Sequence, residues 1–362
     1  MKILLSGGGT LGPVVPLLAI AEMYKKRNPS AEFVWVGTKD GPEKELVGEY
    51  GLPFFTITHG KLRRYFSLFN LIDVVKLAMA FFQSLVLLWY EKPSLLISAG
   101  GFVSVPLHFA AYSLGIPTWV HQQDVLPGLA NKLMARLAKK ITTALQDSAK
   151  YYPTNRTEWI GNPARDLGVT NPVASRAIFG IPDEAPVIFA LGGGTGSAKV
   201  NKMVLEALPS WSREWHIVHL VGKNRPRLLH ERVSKICPNY HVYQFFTEEM
   251  KDAYAIADVV IARAGFGSIT ELAALSKPAI IIPMSKTHQE ENALFLFKNK
   301  AVIVLDEEVD NGLKLAQIVK RLIESSQDRQ ILGHRLHTLL PPAKEEKVVE
   351  IIDRLVQRAA II

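Results

Sequence analysis

The stretches "ILLSGGGT" (Ile3–Thr10) and "IFALGGGT" (Ile188–Thr195) decide how this chain is read. Each is a short apolar run that ends in three glycines and a threonine, and each leads into a helical pattern. Glycines between a strand and a helix let the backbone approach a ligand closely and turn free N–H groups toward an anion. Because the motif occurs twice, it argues for two doubly wound units, each opening with its own glycine turn. Around it, "EFVWVG" (32–37), "SLLISAG" (94–100) and "PTWVH" (117–121) alternate with longer helical patterns. That rhythm predicts an α/β chain with parallel sheets covered on both faces.

Composition agrees with two domains, since 362 residues, 48% of them hydrophobic and 21% charged, exceed one typical core. The single cysteine, Cys237, excludes an internal disulfide framework and a cysteine-based zinc cluster. The +8 formal charge suits nucleic acid, an anionic membrane face or an anionic substrate. With no long basic blocks and no zinc-finger or RNA-binding signature, nucleic acid is not expected. Met1–Leu5 is too short before its glycines for a secretory signal and reads as a first strand in a cytosolic chain.

Two neighbouring stretches bear on membranes. "LIDVVKLAMAFFQSLVLLWY" (71–90) has the length of a span, but Asp73, Lys76, Gln83 and Ser84 interrupt it, which predicts a buried helix. Just upstream, "HGKLRRYFSLFNL" (59–71) mixes Lys61, Arg63 and Arg64 with Tyr65, Phe66, Leu68 and Phe69. It suits an anionic membrane surface or an ordinary solvated loop. The breakers in "TEWIGNPARDLG" (157–168) mark a crossover. The expected domains are 1–162 and 163–342, followed by an amphipathic helix over 343–362 that packs back on the first.

Gly7–Gly12 satisfies G-x-G-x-x-G, the dinucleotide fingerprint, but Gly37 stands where a ribose-binding acid is expected and Asp40 comes three residues later. "GGGTGSA" (192–198) is a second anion nest or a plain tight turn. Two such turns suit the pyrophosphate of a sugar nucleotide, held without a metal in a cleft between domains. "ARAGFGSITELAALSKPAIIIP" (262–283) reads as strand, glycine turn and a helix from about Ser268. Glu271 in its first turns is either a dipole partner or an acceptor for ribose hydroxyls. His288, Gln289 and Asn292 in "THQEENA" (287–293) are sugar ligands or helix caps. "SAGGFVSVP" (98–106) and "HQQDVLPGLANK" (121–132) follow predicted strands and should border the same cleft. His121 and Asp124 are the acid–base candidates there.

Taken in order and spacing, "GGTLGPVVPLLAIAE", "SAGGFVSVP", "HQQDVLPGLANK", "GNPAR", "GGGTGSAKVN", "FTEEMKDAYAIADVVIARAGFGSITELAA" and "HQEENA" resemble the MurG family of N-acetylglucosaminyltransferases. The resemblance implies a GT-B fold, two Rossmann-like doubly wound domains facing across a cleft. It implies inverting transfer of N-acetylglucosamine (GlcNAc) from UDP-GlcNAc to the C4 hydroxyl of an undecaprenyl-pyrophosphoryl-N-acetylmuramoyl peptide. That step of peptidoglycan synthesis, which serves cell shape and division, runs at the cytoplasmic face of the cell membrane, with the enzyme bound peripherally and no cofactor.

Carried over by motif, Arg165 faces the nucleotide, Gly194 and Thr195 adjoin the diphosphate, and Phe246 and Thr247 border the uracil. Ser268 reaches a phosphate, Glu271 the ribose, and His288 and Gln289 the sugar. In the first domain Thr10, with Gly12, lies in the loop next to the diphosphate and the acceptor, and Asp124 lies near the sugar. The chain departs from the family at Leu11 (glycine), Pro13 (histidine), Phe102 (tyrosine), Gly194 (serine) and His288 (glutamine), and His121-Gln122-Gln123-Asp124 replaces H-E-Q-N. With no histidine at position 13, Asp124, oriented through His121, is the expected base. The alternatives are another lipid acceptor, a UDP-GlcNAc 2-epimerase, or a non-catalytic sugar-nucleotide-binding protein.

Overall fold

The computed structural model describes residues 1–58, 69–168, 171–223, 225–246 and 248–359. They form two compact units, residues 1–165 with 342–362, and residues 166–341. The basic-aromatic stretch from Lys61 to Leu68 lies outside the described residues.

In the first unit the strands are β1 (Lys2–Ser6), β2 (Glu32–Gly37), β3 (Phe54–Thr56), β4 (Leu95–Ser98), β5 (Thr118–Gln122), β6 (Lys140–Thr143) and β7 (Thr157–Trp159). They pair in parallel in the order β3-β2-β1-β4-β5-β6-β7. The second unit holds β8 (Val187–Leu191), β9 (His216–Leu220), β10 (Tyr240–Tyr243), β11 (Val259–Ala262), β12 (Ala279–Ile281) and β13 (Ile303–Val304). Their order is β10-β9-β8-β11-β12-β13, again parallel. In both sheets the order reverses beside the first strand, between β1 and β4 and between β8 and β11. Ligands of doubly wound sheets bind at this switch point, outside the carboxyl ends of the strands.

Helix Val14–Arg27 shows how sequence builds the first unit. Pro13 supplies the entry with φ −68°, where its missing N–H costs little, and Lys25, Lys26 and Arg27 meet the negative end of the dipole. Val14, Leu17, Leu18 and Ile20 are fully buried, each contributing about 2 kcal/mol on removal from water. The chain re-enters this unit where the Ala343 N–H donates to the Asn162 carbonyl at 2.9 Å. Val348, Ile351, Ile352 and Leu355 of helix Glu345–Ala359 then join the same core, and the Tyr24 hydroxyl donates to Asp353 at 2.7 Å.

Helix Phe69–Glu91 departs from the expected buried helix. Met79, Phe82, Val86 and Trp89 form one stripe at helical spacing that is 47%, 65%, 68% and 70% exposed. Only the opposite side, with Ala80, Ser84 and Leu88, is buried. Among the described residues no helix is long and apolar enough to cross a membrane.

Candidate active site

Three loops converge at the switch point of the first sheet. After β1, Gly7 to Gly12 lead to Pro13, with Gly9 at φ +82° and Thr10 exposed. The Trp35 indole fixes this loop by donating to the Gly7 carbonyl at 3.1 Å. After β4, Gly101 lies so close that a Cβ there would stand 3.0 Å from both N and O of Gly8. After β5, the Gln123 amide and the Thr10 hydroxyl stand 3.4 and 3.7 Å from where a Gly12 Cβ would be. Thr10, Gly12 and Gln123 are therefore neighbours, and half-buried Asp124 follows directly.

The β5 loop is held by Gln122. Its Oε1 accepts from Asn131 Nδ2 at 2.6 Å and from the Tyr152 hydroxyl at 2.8 Å. Its Nε2 donates to the carbonyls of Asp124 at 2.7 Å and Leu126 at 3.3 Å. Burial first, and then the charge of Asp124, push the Tyr152 phenol up, so Tyr152 stays neutral and donates.

His121 does not fill the relay role expected for it. It is fully buried, with Nδ1 2.8 Å from Thr142 Oγ1 and Nε2 2.7 Å from Asn162 Oδ1. Trp119 Nε1 also donates to Thr142 Oγ1 at 2.8 Å. The Thr142 hydroxyl therefore donates onward to Nδ1, and Nε2–H donates to Asn162. Both ring nitrogens are taken up in joining β5, β6 and the "GNPAR" segment. Burial lowers the ring's pKa to about 4, so it stays neutral.

The second sheet gathers a richer set. After β8, Gly192 to Ser197 turn tightly, with Gly193 and Gly196 at φ +79° and +72°. Ser197 caps helix Ala198–Ala207 by accepting from the Val200 N–H, while Gly194 is half-buried and Thr195 exposed. Gly196 packs backbone to backbone on Gly222, where a Cβ would come within 2.7 Å of the Gly222 Cα. That contact brings in two cations that the sequence reading missed. Arg225 Nη2 donates to the Gly196 carbonyl at 3.4 Å, and Lys223 Nζ sits 4.3 Å from the centre of the Phe245 ring. The basic run after β9, "GKNRPR" (222–227), was the available signal.

After β11, helix Phe266–Ala274 begins two residues earlier than expected. Gly265 is its N-cap and offers no side-chain acceptor, so the first-turn N–H groups, including that of half-buried Ser268, suit an anion. Glu271 is buried, and the Tyr254 hydroxyl donates to its Oε2 at 3.0 Å. Arg263, also missed, anchors the next loop: Nη1 donates to the carbonyls of Ile282 and Pro283, and Nη2 pairs with Glu307 at 2.6 Å. Burial pushes the Glu307 carboxyl up, but the Ser285 N–H and Arg263 outweigh it and hold the pKa below the usual range. Buried Asn292 ties helix His288–Lys298 to the Ala264 carbonyl at 3.2 Å.

His288 is exposed at the start of that helix, whose cap is Thr287. Gln289 Oε1 accepts the Met284 N–H at 3.0 Å. Phe246 is buried against Phe179 and Tyr243, so the half-exposed ring beside it is Phe245. Arg165 is half-buried at the end of the first unit, and Thr247 lies outside the described residues. A cavity of about 260 Å³ lined by Arg176, Asp183, Asp258 and Arg329 lies at the other end of the sheet. Its groups serve the fold, as where Asp258 accepts from the Val187 N–H.

Comparison with known proteins bears on both units. The glycosyltransferase family 28 N-terminal domain matches residues 3–143, and the C-terminal domain of that family matches residues 187–355. The chain is 35% identical to the UDP-N-acetylglucosamine–N-acetylmuramyl-(pentapeptide) pyrophosphoryl-undecaprenol N-acetylglucosamine transferase of Staphylococcus carnosus, over 97% of this chain and 96% of that one. Among solved structures, Acinetobacter baumannii MurG has the same fold, with a TM-score of 0.74, 23% identity and coverage of 98% and 99%. A UDP-GlcNAc 2-epimerase from Neisseria meningitidis shares the fold at a TM-score of 0.69 and 14% identity, covering 99% of this chain and 100% of that one. The class is thus a glycosyltransferase of family 28 with the GT-B fold. Within that class the chain belongs to the MurG family of N-acetylglucosamine transferases.

Proposed function

We propose that this chain transfers GlcNAc from UDP-GlcNAc to the C4 hydroxyl of an undecaprenyl-pyrophosphoryl-muramoyl peptide, inverting the anomeric centre. The reading is carried by one observation: both strands that flank the switch point of the second sheet end in anion-ready turns. These are the Gly192–Ser197 loop and the Gly265 entry to the helix that bears Glu271. The names of the relatives supply the sugar and the acceptor.

In this account the Gly194–Thr195 backbone, the helix entry near Ser268 and Arg225 receive the diphosphate, and Glu271 accepts from the ribose hydroxyls. Gln289, its carbonyl engaged with Met284, offers its amide to the sugar beside His288, and Arg165 serves the nucleotide. The acceptor hydroxyl attacks the anomeric carbon as its proton passes to Asp124. The bond from that carbon to the diphosphate oxygen breaks, and UDP leaves with the electron pair. Donors already aimed at the diphosphate stabilise the charge as it develops, without reorganisation.

The membrane side of the proposal rests on the exposed stripe of helix Phe69–Glu91, joined by Phe109 and Tyr112 of the packed helix Ser104–Ser113. An apolar face of this kind suits peripheral docking at the cytoplasmic face of the membrane, where a lipid-linked acceptor resides. Incubation with UDP-GlcNAc, with and without the lipid-linked acceptor, tests the function. Acceptor-dependent UDP release supports transfer, whereas the 2-epimer formed from donor alone would assign the chain to the epimerases.

A further inference from the structure

The first glycine loop looks, by sequence, like a phosphate nest, but a side chain of this protein fills it. Glu43, fully buried, accepts the Gly9 N–H on Oε2 at 3.2 Å. Its Oε1 accepts the Thr38 N–H at 2.7 Å and the Thr38 hydroxyl at 2.5 Å. Two glycines, Gly8 and Gly41, make room for this carboxylate. A Cβ on Gly8 would stand 2.2 Å from Oε1, and one on Gly41 2.0 Å from Oε2 and 2.2 Å from Thr38 Oγ1, whereas one on Gly37 would first meet Phe54 Cζ at 2.6 Å. Neither Gly8 nor Gly41 has a positive φ, so space for Glu43 and its Thr38 partner, not backbone freedom, is what excludes a side chain at these two positions.

We infer that Glu43 is the resident anion of the first glycine loop, a positioning residue that orders Thr10 and Gly12 for the acceptor while leaving the Gly9 N–H unavailable to a substrate diphosphate. A loop anchored on an internal carboxylate is shaped before any ligand arrives, and preorganisation of this kind lowers the ordering cost of binding. The role in acceptor binding rests on the transferase reading, whereas the anchoring of the loop does not.

Glu43→Gln tests both parts, because its amide keeps the shape but turns an N–H toward the Gly9 N–H. Hydrogen exchange over residues 7–13 should speed up by about tenfold, the effect of losing one bond to a charged acceptor, while helix Val14–Arg27 keeps its protection. In transfer kinetics the acceptor KM should rise about tenfold with the donor KM unchanged. Glu43→Asp, which keeps the charge on a shorter stem, should fall between. Unchanged exchange over residues 7–13 overturns the inference, as does an acceptor KM that stays put or a donor KM that rises equally. If the wild-type chain transfers nothing, the functional reading has failed, and the exchange measurement alone decides whether Glu43 anchors the loop.

Discussion

The side-chain amide of Gln122 donates to the backbone carbonyl of Asp124 at 2.7 Å, and this bond sets the loop that bears the proposed base. A carboxylate at position 122 would turn lone pairs toward that carbonyl and the Leu126 carbonyl. Gln122→Glu should therefore lower stability by about 1–3 kcal/mol in denaturant unfolding. Asp124→Asn should leave the fold intact and reduce kcat by about 10²–10⁴-fold, the range of a lost general base, with donor affinity retained. Full turnover in Asp124→Asn would remove Asp124 from the chemistry.

The donor site gives a graded pair. Glu271→Ala removes the proposed ribose acceptor and should raise the donor KM at least tenfold, with the acceptor KM unchanged. Tyr254→Phe removes only the hydroxyl that pins Glu271 Oε2 and should raise the donor KM about fivefold, on the order of 1 kcal/mol. Steady-state kinetics with each substrate varied in turn separates the two effects. A Tyr254→Phe effect on the acceptor KM alone would contradict the assignment.

Acid should destabilise the second unit more than the first. Burial lowers His108 to about 3 and His121 to about 4 in the first unit, whereas in the second it lowers His219 to about 3 and His241 to about 4 and pulls down His216 and His230 as well. An unfolded histidine titrates near 6.5. Below that pH the unfolded chain binds protons that the folded chain refuses, so stability falls as pH drops from about 6.5 toward 4. Each group contributes up to about 1.4 kcal/mol per pH unit. Denaturant midpoints followed by hydrogen exchange in each unit at pH 7, 6 and 5 should show the steeper fall in the second. Equal or flat profiles would contradict it.

Membrane docking is tested on the exposed stripe. Phe82→Ser and Trp89→Ser lie outside the core and should change stability by less than about 0.5 kcal/mol. Each should weaken binding to vesicles rich in anionic lipid by about tenfold or more, since burying such a side chain contributes about 1.5–3 kcal/mol. Vesicle co-sedimentation is the measurement, and unchanged binding by both variants would place the contact elsewhere.

The repeated glycine turn made the two doubly wound sheets legible, because strand, turn and helix are local patterns. The loops at the carboxyl ends of the strands followed from the fold class. Side-chain partners did not. Glu43 meets Gly9 from 34 residues away, and nothing near either residue announces the contact. His121, at the end of β5, looked like a base. Its neighbour at period two, Trp119, shares the same Thr142 partner, a sign that this side of the strand serves packing. The exposed stripe of helix Phe69–Glu91 was concealed by its uniform hydrophobicity: an apolar helix reads as buried until its neighbours cover only one side.

The most direct measurement is the mass of the product formed from UDP-GlcNAc and the undecaprenyl-pyrophosphoryl-muramoyl peptide. The product should be acceptor heavier by one N-acetylhexosamine residue, β-linked at C4, with UDP released in equal amount. Acceptor of unchanged mass, under conditions where the protein is folded and binds UDP-GlcNAc, would contradict it.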